Sequence, residues 1–121
     1  DYLAAEEIWA ANETQVYYLD SNMEYSSPIP CALDMADAVI QAEHEGWDAV
    51  CVEVLTPDEG DSISQNNAHL SRTPVVFLSD DPAALGAALF AYNGRAIVDS
   101  RSQLEPEELA RIAAKYGAVV L

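Results

Sequence analysis

A chain of 121 residues has room for one domain with a true core and not for two ordinary ones. Half of the residues are hydrophobic, which excludes a disordered acidic tail, and no apolar run approaches the roughly 18 residues needed to cross a bilayer. A net charge of −16 disfavours nucleic acid and anionic membranes as partners, because binding to phosphate runs on Lys and Arg. In chain order, residues 2–12 are expected to form a first helix, with Leu3, Ile8 and Ala11, or Ala4 and Trp9, as its apolar contacts. Residues 15–19 read as a strand from their β-branched and aromatic content. The Ser- and Pro-rich stretch from Ser26 to Pro30 reads as a loop.

From about Cys31 to Glu45 the spacing of Met35, Val39 and Ala42 predicts a helix, which Gly46 ends. Residues 49–55 follow as an apolar strand. Residues 56–72 read as a long polar loop with a short helix near its end; loops of that length are functional or mobile. Residues 74–78 make the next strand. Pro82 then opens a helix capped by Asp80 or Asp81, with Leu85, Ala88 and Leu89 facing inward. Residues 96–99 give a strand and Pro106 opens another helix, whose inner face is Leu109, Ile112, Ala113 and Tyr116. Gly117 stops it, and residues 118–121 form the last strand.

The same grammar is written three times: amphipathic helix, glycine (Gly46, Gly94, Gly117), apolar strand, polar strand end. Continuous apolar strands alternating with helices imply parallel strands joined by right-handed crossovers. The expected fold is therefore α/β, with parallel βα repeats and about five strands, either the first half of a TIM-type barrel or an open flavodoxin-like sheet. Residues 1–121 would be a single α/β domain or domain fragment, with an N-terminal helical segment at 1–14 and βα repeats over 15–121. The chain opens on Asp1 rather than Met and reads as a processed product or an expressed piece of a longer protein.

The charge is lopsided: residues 1–71 hold fifteen acids and neither Lys nor Arg, and the other six acids share residues 72–121 with all five bases. That favours solubility or a basic partner. Cys31 and Cys51 form no metal motif, so no bound metal is expected, and the default setting is reduced and cytoplasmic. His44 and His69 have no second ligand at a useful spacing, and no phosphate loop, nucleophile elbow or HExxH occurs. In a parallel sheet, chemistry collects at the carboxyl ends of the strands. Asp20, Glu53, Asp80 and Asp99 would share that rim, although Asp80, Asp81 and Ser100 also suit helix capping.

The phrases Gly46-Trp47-Asp48-Ala49-Val50, Thr73-Pro74-Val75-Val76, Asp80-Asp81-Pro82-Ala83-Ala84-Leu85, Tyr92-Asn93-Gly94-Arg95-Ala96-Ile97-Val98-Asp99-Ser100 and Tyr116-Gly117-Ala118-Val119-Val120 come in a telling order. Over about residues 15–121 the chain resembles the dihydropteroate synthase-like barrels. It is most similar to the methyltetrahydrofolate-binding methyltransferase barrels, such as the pterin-binding module of cobalamin-dependent methionine synthase. The resemblance implies methyl transfer from methyltetrahydrofolate to a corrinoid, the corrinoid held by a partner protein or by remaining domains of a longer parent. It places Asp99, where the family has Asn, as the acid–base group near the pterin N5.

It places Glu53, Ser79, Asp80 and Ser100 at the pterin site, with the first-strand Asn of the family falling on Asn22 or Glu24. Leu78 stands where the third-strand Asp belongs, and Cys51 where an acid belongs in the second strand. A leucine cannot accept hydrogen bonds from a pterin amide. The other reading of the same ancestry is therefore a noncatalytic module for assembly or protein binding through an acidic surface. An incomplete barrel leaves a sheet edge to be covered by a partner or by a second copy in a homo-oligomer.

Overall fold

In the computed structural model, which describes residues 9–20 and 22–121, seven strands and four α-helices are found among the described residues. They are β1 (Trp9–Ala11), β2 (Val16–Tyr18), β3 (Ile29–Pro30), α1 (Ala36–His44), β4 (Val50–Glu53), α2 (Pro57–Asp61), β5 (Val75–Leu78), α3 (Pro82–Ala91), β6 (Ile97–Val98), α4 (Pro106–Tyr116) and β7 (Val119–Val120). A 3-10 turn, Ser62–Gln65, continues α2. Strands β3 to β7 form one sheet in the order β3-β4-β5-β6-β7, and every pairing in it is parallel.

That order decides between the two expected architectures. Each βα unit steps one strand in the same direction, and right-handed crossovers then put every helix on the same face. A flavodoxin-like sheet reverses its direction and carries helices on both faces. The sheet is therefore of the barrel type, with five strands of it among the described residues. The two faces pack accordingly. Val50, Val52, Val75, Phe77 and Val98 join Val39, Leu85, Leu89, Leu109 and Ile112 in the core beneath the helices. The alternate residues Ala49, Cys51, Val76 and Ile97 face the concave side, where among the described residues they pack with Ala10, Leu19, Met23 and Tyr25.

The helices end and begin as their sequences dictate. Asp81 caps α3, its carboxylate accepting from the Ala83 N–H at 2.9 Å, and Pro82 fills the first turn. Gly117 closes α4 at φ 71°, a left-handed conformation that only glycine adopts without cost, and Gly46 does the same after α1 at φ 84°.

The N-terminal region departs from expectation. Residues 2–8 of the expected first helix lie outside the described residues, and Trp9–Ala11 is a strand, paired antiparallel with β2. Asn12 makes this turn: its side-chain oxygen accepts from the N–H groups of Thr14 and Gln15 at 2.9 and 3.0 Å. Residues 15–19 are thus half of a hairpin and not the first strand of the parallel sheet. That place is taken by Ile29–Pro30, in the stretch read as loop, which pairs with Val52 and Glu53. An edge position explains why two prolines are tolerated there. The 56–72 segment carries its helix at the start, not the end, capped by the Thr56 hydroxyl accepting from Glu59 N–H.

The hairpin closes the lower end of the concave face. Ala11 and Arg95 exchange backbone hydrogen bonds of 2.9 Å, and the Arg95 side chain donates to the carbonyls of Trp9 and Gly117. Its guanidinium also lies 4.5 Å from the centre of the Trp9 ring. Gly94 must be glycine, because a Cβ there would collide with the Ala11 carbonyl. The hairpin thus covers part of the amino ends of the strands, and among the described residues a cleft lies at the carboxyl ends.

Candidate functional site

The register of the sheet lines up a row of side chains across that open end. Pro30 pairs with Glu53 and Glu53 with Leu78, while the pairs Val76–Ile97 and Ile97–Val119 carry the register on to Asp99 and Leu121. Because facing alternates along a strand, Glu53, Leu78, Asp99 and Leu121 point to the concave side above Cys51, Val76, Ile97 and Val119. An open cleft of about 840 Å³ lies over this row, lined by Tyr25, Ser26, Leu78, Asp99, Arg101 and Leu121 among others. That is within the ordinary size of a small-molecule site.

Asp99 is the centre of the cleft chemically. It is buried to 1% exposure, and its carboxylate is held by one residue, Arg101. The Arg101 Nε donates to both carboxylate oxygens at 2.9 and 3.1 Å, Nη2 donates to Oδ2 at 2.6 Å, and the Arg101 backbone N–H donates to Oδ1 at 2.9 Å. This is the two-pronged guanidinium–carboxylate pair, the strongest geometry available to these groups. The Arg101 side chain remains 68% exposed, reaching into the cleft, and sits 5.8 Å from the centre of the Tyr25 ring.

Neighbouring groups register the same buried charge. Burial pushes the Cys51 thiol up to about 11, with the negative Asp99 adding to the shift. The Tyr25 phenol is raised by burial and then by Asp99. Both shifts favour the protonated form of the group. Arg101 is raised by its hydrogen bonds to Asp99, which hold it in the charged form.

The other expected site residues scatter. Glu53 ends β4, half-buried in the same row as Asp99. Ser79 is buried, but its hydroxyl is used locally, donating to the Asp81 carbonyl and accepting from the Asp81 N–H. Asp80 is exposed and accepts from the Gln103 N–H at 2.8 Å, tying two strand-end loops together. Ser100 is exposed at the cleft. Asn22 is not brought to this rim. It lines a second cleft of about 500 Å³ with Tyr17, Arg72, Thr73 and Pro74, at the amino ends of the strands. The physical reason is the hairpin: with residues 16–18 removed from the sheet, the segment after them starts at the lower end. Glu24, the other candidate for that position, does line the Asp99 cleft.

Sequence reasoning missed Arg101 and Tyr25. The signal for Arg101 was available as a base two residues past a strand-end Asp, in a chain with only five bases. Among the described residues no group of three or more His, Cys, Asp or Glu could hold a metal ion, and no helix is long and apolar enough to cross a membrane.

No protein-family model and no curated protein matches the chain. Among solved structures it is similar to the dihydropteroate synthase of Thermus thermophilus, determined in complex with 6HMPPP, at 17% identity and a TM-score of 0.64. The match covers 95% of this chain and 45% of that one, so the chain spans less than half the length of the synthase. The likeness is one of fold: a dihydropteroate synthase-like α/β architecture, five parallel strands of it in unbroken order.

Proposed function

We propose that this chain is a pterin-binding module built on half of a barrel, with the ligand seated in the concave cleft over Leu78, Asp99 and Leu121. The observation that carries the reading is the position of Asp99: a buried, charged strand-end residue in the one row where a barrel of this fold gathers its site, under a cleft large enough for a bicyclic ring. The fold likeness to a synthase solved with 6HMPPP supports the same ligand class. Tyr25 offers an aromatic face, and Ser26, Ser100 and Glu53 offer polar groups at the cleft or along its row.

The finer reading is methyl transfer from methyltetrahydrofolate to a corrinoid, the corrinoid carried by a partner or by further domains. Asp99 would then act on the ligand as acid or base, with Glu53, Ser79, Asp80 and Ser100 binding it and Asn22, at the other end of the strands, taking no part. A specific observation favours binding over this chemistry. Arg101 takes both carboxylate oxygens, so Asp99 reaches a ligand only after a 2.6 Å charged hydrogen bond is given up. Ser79 and Asp80 are likewise occupied by backbone partners. The noncatalytic form of the module fits this arrangement better.

Calorimetric titration tests the reading. Saturable heat with 5-methyltetrahydrofolate and with a neutral tetrahydropterin is expected for the native chain. It should be lost when Ser27→Trp fills the cleft mouth from an exposed position. Absence of heat from every pterin at millimolar concentration overturns it.

A further inference from the structure

We propose that the outward groove between α3 and α4 is a homodimer interface, in which a second copy of this chain docks antiparallel about a two-fold axis lying across the middles of both helices. The contact is independent of any ligand in the concave cleft. The groove has a volume of about 380 Å³ and is lined by Ala83, Gly86 and Ala87 of α3 and by Ile112 of α4. Phe90 stands at its end with 79% of its surface exposed, more than any other large hydrophobic residue among those described. Its ring meets Tyr116 edge-on at 6.4 Å, so the carboxyl-terminal ends of the two helices lie level. A projecting aromatic ring beside a hollow of small residues is a knob beside a hole.

Further units of a barrel would not cover this face. α3 already has both of its neighbours in the helical layer: α2 approaches it backbone to backbone at Gly60, and α4 reaches it through Tyr116. Additional βα units would join beyond β3 or β7 and leave the outward side of α3 as it is. Charge selects the occupant. Two copies of a chain with net charge −16, holding fifteen acids and no base in residues 1–71, repel one another over most of their surface. Along this groove Arg111 and Lys115 outnumber Glu108, so the repulsion is smaller when this face leads.

The two-fold follows from spacing. Strands β5, β6 and β7 are parallel, so α3 and α4 run in the same direction. Phe90 follows Ala83 by seven residues, and Lys115 follows Glu108 by the same seven. Seven residues make about two helical turns, so the members of each pair lie on one side of their helix. The midpoints, Gly86–Ala87 and Arg111–Ile112, lie nearly level, as the Phe90–Tyr116 contact requires. An axis through both midpoints therefore sets Phe90 of each copy over Ala83 of the other, and the exposed Lys115 of each opposite Glu108 of the other. Glu108 Oε2 accepts from Arg111 of its own helix at 3.1 Å, which leaves Oε1 for the second copy's lysine. One axis thus satisfies the apolar and the charged pairs together. Two short helices a side make a small contact, so a dissociation constant of about 10–100 µM is expected.

Sedimentation equilibrium of the native chain in ~0.15 M salt, which screens the mutual repulsion, tests the proposal over protein concentrations from ~5 µM to ~1 mM. A reversible monomer–dimer equilibrium is expected. Phe90→Asp should raise the dissociation constant by about 10-fold or more, with the far-UV spectrum of the monomer unchanged because the side chain is exposed. Glu108→Lys and Lys115→Glu each set like charges against one another across the axis, and each alone should weaken self-association by about 5-fold. Mixed in equal amounts, these two variants present opposite charges at both positions, and their heterodimer should form within about threefold of the native affinity. A contact through another face would leave both variants unchanged. A native chain that stays monomeric at ~1 mM, a dimer that Phe90→Asp does not weaken, or a mixture that associates no more tightly than its two components overturns the proposal.

Discussion

Gly60 on α2 lies so close to α3 that a Cβ placed on it would fall 2.8 Å from the amide nitrogen of Ala88 and 2.7 Å from the carbonyl oxygen of Ala84. The two helices meet backbone to backbone, which only a residue without a side chain permits. Gly60→Ala would ordinarily help a helix, by about 1 kcal/mol. Here it must push α2 off α3, and the expected outcome is a loss of about 1–3 kcal/mol in urea unfolding. Gly86, in the middle of α3, is the control. A Cβ there meets the Tyr116 ring at 3.6 Å, an ordinary contact, so Gly86→Ala is expected to gain about 0.5–1 kcal/mol. Equal signs for the two variants would contradict the packing described.

The βα grammar from residue 36 onward was legible because each element there obeys a single local rule: helical spacing, a capping Asp81 with Pro82, a left-handed Gly117, apolar strands buried on both faces. The first 35 residues obey none of these cleanly. Ile29–Pro30 is too short and too proline-rich to read as a strand, and it is one because Val52 and Glu53 supply the pairing. The hairpin turn has no glycine, since the Asn12 side chain holds it instead. The start of α2 was legible and passed over: Thr56, Pro57 and Glu59 are a cap, a first-turn proline and the third residue of a capping box. At the site, a two-fold strand period gives Asp99 its rim position. The pairing with Arg101 depends on how the chain turns after β6, which no periodicity describes.

Asn66 shows what the polar loop was for. It is fully buried and uses its whole amide: Oδ1 accepts from the Met35 N–H at 3.0 Å, and Nδ2 donates to the carbonyls of Ala32, Leu33 and Ser62. It therefore fixes the entry to α1 from the far side of β4. Asn66→Ala would leave four backbone groups without this partner in a dry site. A loss of about 3 kcal/mol or more is expected, with early exposure of the 32–36 amides in hydrogen exchange. A loss below about 1 kcal/mol would show that water replaces the side chain readily.

Tyr92 offers the opposite case. Its ring packs edge-on against Phe77 at 5.7 Å and 82°, while its buried hydroxyl has no hydrogen-bond partner among the described residues. Burial holds its phenol protonated well above the usual range. The ring contributes packing and the hydroxyl contributes only its lost hydration. Tyr92→Phe keeps the first and removes the second, so stability should be unchanged or rise by up to about 1 kcal/mol. A clear loss would reveal an acceptor for the hydroxyl.

Cys51 makes the concave face sensitive to alkali. Its thiol is fully buried between Ala49, Val76 and Ile97, and burial, reinforced by Asp99, raises it to about 11 from an ordinary value of 9.0. The fold thus prefers the protonated thiol. Between those two values the unfolded chain has already lost the proton that the folded chain keeps, so the folded state binds more protons and stability falls as pH rises. Below about 9 the contribution is fully present; above about 11 it is gone. Cys31 and Tyr25 are shifted upward as well, also chiefly by burial, and add to the same decline. Urea midpoints measured from about pH 7 to about pH 10.5 should therefore be flat at first and then drop. Cys51→Ala should lower the whole curve, since a buried sulfur is lost, yet make its alkaline limb shallower. Labelling with a thiol reagent at about pH 8 should be slow for both cysteines and become fast in urea, because only opening of the chain exposes and ionises them. Rapid labelling of Cys51 in the folded chain would mean that the concave face opens without unfolding, and the row beneath Asp99 would then be no fixed floor for a ligand.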